Sequence, residues 1–146
     1  MESNILYILL QTTIRESMNR LMNITADAEI HKVDCATEEE VDEFEEGLIG
    51  GPKLNPMRPY LETGRCTKWN YELCELFVEH FQDEQEVEFP NSHREIIADM
   101  FLARLGRLSR TWRDRDLAPE MQKEKVRKMR ELARRNTRRV DVSYAL

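Results

Sequence analysis

Residues that break helices are bunched in one place. Four of the five glycines and three of the five prolines fall between Gly47 and Gly64. Inside a helix a glycine costs about 1 kcal/mol and a proline about 3 kcal/mol relative to alanine, so no regular element is expected to cross that stretch. The remaining chain holds one glycine, Gly106, and two prolines, Pro90 and Pro119. Long breaker-free segments whose apolar residues recur at helical spacing point to an all-α protein. The expected architecture is a small helical bundle of about four to five helices with a long Gly/Pro-rich loop. At 146 residues, 40% apolar and 34% charged, the chain can bury a core behind long solvated faces. It contains no internal repeat and no sustained heptad.

The first helix is expected over residues 3–24, where Leu6, Leu10, Ile14, Leu21 and Ile24 share one side with Met18 on the flank. Residues 25–36 read equally as a short helix or an extended link. Thr37-Glu38-Glu39-Glu40 then has the pattern of a capping box, opening a short acidic helix to Glu46 anchored by Val41, Phe44 and Leu48. In the breaker-rich stretch, Leu54, Met57, Tyr60 and Leu61 are the available apolar anchors.

Residues 67–84 form a strongly periodic helix with Trp69, Leu73, Leu76, Phe77 and Phe81 on one arc, His80 inside it and Cys74 at its border. Ser92-His93-Arg94-Glu95 is a second capping-box pattern. It opens a helix over 93–113 with Ile97, Phe101, Leu105, Leu108 and Trp112 in line. The two helices are expected to pack antiparallel, burying Leu73, Phe77, Phe81, Ile97, Phe101, Leu105, Leu108 and Trp112. Arg104 falls inside the apolar arc and Arg107 on its border, an expensive placement unless each meets a carboxylate. Glu72, Glu79 or Asp83 on the preceding helix are the expected partners. Asp114 to Ala118 interrupt the pattern. Pro119 suits the first position of a last, basic helix running to about Arg138. The expected organisation is an N-terminal unit (1–46), a loop or linker (47–66), a helical core with the basic helix (67–139) and a tail (140–146).

Charge is as unevenly spread as glycine. Residues 94–139 carry 15 of the 22 Lys+Arg and 7 of the 28 Asp+Glu, whereas residues 1–93 carry 7 basic and 20 acidic residues. Within the basic part, Lys123, Arg127, Arg130, Arg134 and Arg138 recur at steps of four, three, four and four. They form one narrow stripe on the far side of the apolar residues Met121, Val126, Met129, Leu132 and Ala133. Cations at helical spacing can meet successive phosphates without bending the helix. The same residues also fit a solvated face, with Glu124–Lys128, Arg127–Glu131 and Glu131–Arg135 as supporting pairs. The functional expectation is a non-enzymatic module that binds nucleic acid, DNA or RNA, through these five residues. The alternative is a protein-interaction or assembly module, a homodimer included, whose basic helix pairs with acidic segments.

Other chemistries find no constellation. Cys74 and His80 lie about 240° apart around their helix axis, so they cannot form a nucleophile–base pair within it. Trp69 and Trp112, 43 positions apart, read as core aromatics. His31 and Cys35 stand one turn apart. The spacing from Cys66 through Cys74 to His80 fits no short paired zinc pattern, so no metal or cofactor is expected. Gly50-Gly51-Pro52-Lys53 lacks the spacing and the hydroxyl of a phosphate loop. No apolar run reaches bilayer length, so no membrane partner is expected. An odd number of cysteines without an export signal suggests an intracellular protein, nuclear or cytoplasmic.

Overall fold

A computed structural model describes residues 2–85, 93–115 and 123–135. Every element among them is helical and none is a strand: α1 (Glu2–Met22), a 3-10 helix (Asp27–Lys32), α2 (Glu38–Glu45), α3 (Lys68–Glu84), α4 (Arg94–Arg113) and α5, residues 123–135. Ser92, Pro119, Met121, Arg138 and the tail from Val140 lie outside the described residues. The chain divides into two compact units, Met1–Arg113 and Asp114–Leu146.

In the first unit α4 is the hub, touching α3, α1 and the 3-10 helix. It buries half its circumference, with Ile97, Met100, Phe101, Leu105 and Leu108 all sealed from solvent. On the α3 side, Phe101 stacks on Phe77 with ring centroids 4.8 Å apart, and Phe77 stacks on Phe81. Arg94 meets Gln82 near the start of α4, and Ala98 meets Cys74 one turn on, so the two helices run in opposite directions. On the other side, Leu10, Ile14 and Met18 of α1 and Ile30 of the 3-10 helix complete one continuous core. Seven of the eight side chains expected in the core are buried; Trp112 packs at its edge.

Local sequence explains where the helices stop. Thr37 Oγ1 accepts from the Glu40 amide, and the Glu40 carboxylate accepts in turn from the Thr37 amide, which is the capping box at the start of α2. At its end Gly47 takes φ +77°. Its amide donates to the Phe44 carbonyl at 3.0 Å, and the Leu48 amide donates to Glu43 at 2.8 Å. That pair of bonds is the Schellman closure, which needs a left-handed residue and favours glycine. α1 closes in the same way, with Asn23 at φ 58° and Ile24 bonding back to Asn19. Ile24 therefore lies past the helix end, yet it remains buried.

No helix or strand spans the Gly/Pro-rich stretch, and side chains fasten it instead. Met57, Tyr60 and Leu61 are buried. Asn70, fully enclosed in α3, accepts from the Tyr60 amide at 2.9 Å and donates to the Tyr60 and Gly64 carbonyls. Trp69 Nε1 donates to the Arg58 carbonyl, and Ser109 Oγ to that of Leu61. Arg58 grips both Glu40 oxygens at 2.7 and 2.8 Å and caps the carbonyls of Asp34 and Cys35. These backbone groups are thus paired without a regular element.

Arg104 departs from the sequence expectation. It is 3% exposed, but its partners are not Glu72, Glu79 or Asp83. Its Nη2 donates to Asn19 at 2.6 Å and lies 2.9 Å from Asp27. The cause is the half-circumference burial of α4: Arg104 sits about 60° around the axis from Phe101, on the side covered by α1 and the 3-10 helix. Arg107 has no ion-pair partner among the described residues.

Candidate nucleic-acid interface

The stripe lies on α5, within the second unit. Residues 123–135 hold seven Lys/Arg against two Glu, and every one of them is exposed. Lys123, Arg127, Arg130 and Arg134 fall within about 60° of arc at 100° per residue, a line roughly 16 Å long at 1.5 Å rise. The fifth stripe residue, Arg138, is outside the described part.

The four described cations are not equivalent. Arg127 is held by its own helix: Nη2 donates to Glu124 at 2.6 Å, and Nη1 lies 3.6 Å from Glu131. This bond raises the Arg127 pKa and lowers that of Glu124, each mainly through the hydrogen bond between them. Glu131 also takes Arg135 at 3.0 Å, and Lys125 reaches Asp114 at 2.6 Å. Of the supporting pairs read from the sequence, Arg127–Glu131 and Glu131–Arg135 are present, whereas Glu124 goes to Arg127 and not to Lys128. Lys123, Arg130 and Arg134 have no ion-pair partner among the described residues. They stand seven and four positions apart on one face, free to meet an external anion.

The apolar side of α5 is open as well: Val126, Met129 and Leu132 are all exposed. In the first unit, Ile5, Leu6, Tyr7, Ile8 and Leu9 of α1 are exposed too, with burial beginning at Leu10. The N-terminal apolar stripe therefore packs only over its second half.

The other sequence candidates separate. Cys74 is buried, and its thiol is pushed up to about 12 by burial first and then by Glu75 and Asp99, so it is no nucleophile at neutral pH. His80 sits at the surface with Nε2 2.9 Å from Glu84, which also takes Arg20. His31 Nδ1 bonds the Ala28 carbonyl. No group of three His, Cys, Asp or Glu among the described residues is placed to hold a metal ion. No helix among them is long and apolar enough to cross a membrane.

Sequence reasoning missed a second cationic place. Arg15 of α1 and Arg104 and Arg107 of α4 line one groove beside the 3-10 helix. The signals for Arg104, inside an apolar arc, and Arg107, on its border, were available, but nothing in the sequence joined them to Arg15. Compared with protein-family models, curated proteins and solved structures, the chain matches none.

Proposed function

We propose that the protein is a non-enzymatic nucleic-acid-binding module that uses the exposed stripe of α5. The observation that carries this reading is the set of three unpaired cations, Lys123, Arg130 and Arg134, on one fully exposed helical face. Phosphate contacts of this kind supply affinity without sequence preference, because they release condensed counterions. Five contacts would give a slope of log affinity against log salt of about −4.5 for a duplex. With Arg127 neutralised by Glu124 and Glu131, three to four contacts remain, and the expected slope is about −3. Mobility shifts of a duplex and a single strand over a salt series test this. Absence of binding at the lowest salt would end the proposal.

A second reading, assembly with a protein surface or a second copy, is favoured by the exposed apolar residues of α1 and α5. In that case the stripe pairs with acidic segments of the partner. Sedimentation at two ionic strengths separates the readings: self-association without nucleic-acid binding supports assembly. A monomer at all concentrations counts against a homo-oligomer.

A further inference from the structure

A groove of about 910 Å³ opens between α1, the start of the 3-10 helix and α4. Its cationic lining consists of Arg15, Arg104 and Arg107; its carboxylates are Asp27 and Asp99. Asp27 is already engaged on Arg104. Arg15 and Arg107 have no ion-pair partner among the described residues. Arg104 is 3% exposed, and its Nε has no hydrogen-bond partner although it is buried. A buried charged donor without a partner is costly, and the Arg104 guanidinium, at the wall of this groove, keeps one donor unsatisfied. Tyr7, Ile14, Ile96 and Met100 supply an apolar wall beside the cations. Tyr7 and Ile96 are exposed at 53% and 41%.

We propose that this groove binds a phosphomonoester with an aromatic or apolar ester group. The phosphate meets the guanidiniums of Arg15, Arg104 and Arg107, and the ester group lies on Tyr7 and Ile96. A tetrahedral dianion offers acceptors in several directions, which suits three arginines from two helices better than a flat monoanion does. The three positive groups also act on one another. Burial pulls the Arg104 pKa down, Asp27 holds it up, and Arg107 and Arg15 push it down again. An arriving dianion relieves that repulsion.

The probe is phenyl phosphate, titrated into the full chain and followed by calorimetry and by ¹H–¹⁵N NMR of the arginine Nε–H groups. The expected result is saturable binding with a shift of the Arg104 Nε–H signal, assigned by its loss in Arg104→Lys. Arg15→Gln and Arg107→Gln change exposed residues and leave the fold intact, as thermal melts will verify. Each is expected to weaken binding by about tenfold. Inorganic phosphate and benzoate are each expected to bind at least about tenfold more weakly than phenyl phosphate. Failure to saturate, unchanged affinity in an Arg15→Gln/Arg107→Gln double variant, or equal affinity for benzoate or inorganic phosphate would each overturn the proposal. The site does not depend on α5. A Lys123→Gln/Arg130→Gln/Arg134→Gln variant should bind phenyl phosphate unchanged even where nucleic-acid binding is lost, and loss of phenyl phosphate in that variant would also overturn it.

Discussion

The unit Met1–Arg113 and helix α5 use the same residue type in opposite ways. In the first unit Arg58 and Arg104 point inward, and each satisfies groups brought from distant parts of the chain. On α5 every arginine is exposed, and the ion pairs within 123–135 join residues three or four positions apart. An inward arginine fastens the fold through groups that the chain brings to it. An outward one is available only if its own helix leaves it unpaired. A count of charges therefore overstates the binding surface: α5 has seven cations, but on its stripe only Lys123, Arg130 and Arg134 are both exposed and without partners among the described residues.

The contrast is open to direct attack. Phe101→Ala removes a ring stacked on Phe77 at the centre of the core and should cost about 3–5 kcal/mol in urea denaturation. Leu132→Ala on α5, where the side chain is exposed, should change stability by less than about 0.5 kcal/mol. Similar losses at the two sites would mean that α5 is as enclosed as the core. Asn70→Ala strips partners from the Tyr60 amide and carbonyl and should cost about 2–3 kcal/mol. Limited proteolysis should then cut first between Gly47 and Gly64, and a cut elsewhere would show that the stretch is held by other means.

Arg58→Met should cost about 2 kcal/mol, since the ion pair is only partly buried. The same pair sets a pH response. Arg58 bonds the charged form of Glu40 and holds its pKa below the usual carboxylate range. The stabilisation is therefore complete above that range and is lost as pH falls through the lowered folded value. The gap between acid melts of wild type and Arg58→Met should narrow as pH falls, leaving the share from the Asp34 and Cys35 carbonyls, and a gap that does not narrow would contradict the pairing. Gly47→Ala forces a side chain into left-handed backbone and should cost about 1–2 kcal/mol, read as a lower denaturation midpoint.

What the sequence revealed follows the range of each interaction. The Thr37–Glu40 box, the helix periodicities and the Arg127–Glu131 pair involve neighbours within one turn, and all were legible. The anchors Met57, Tyr60 and Leu61 were legible because large apolar residues among glycines and prolines have little other use. The partner of Arg104 was not, because Asp27 lies in a stretch without periodicity and 77 positions away. Asn70 was missed for a similar reason: a polar residue on a helix reads as solvated, and its partners are backbone groups that carry no sequence signature. The stripe's spacing was readable, but which of its members are free depends on where Glu124 turns, and that choice needs coordinates.

The most direct test sets Arg127 against Arg130, three positions apart on one stripe. Salt-dependent anisotropy of a labelled duplex is measured for Arg127→Gln and Arg130→Gln. Arg130→Gln should reduce the magnitude of the salt slope by about 0.9, the loss of one phosphate contact. Arg127→Gln should reduce it by less, because that cation is already shared with Glu124 and Glu131. Equal reductions in both variants, or no binding by the wild-type chain at low salt, would contradict the account.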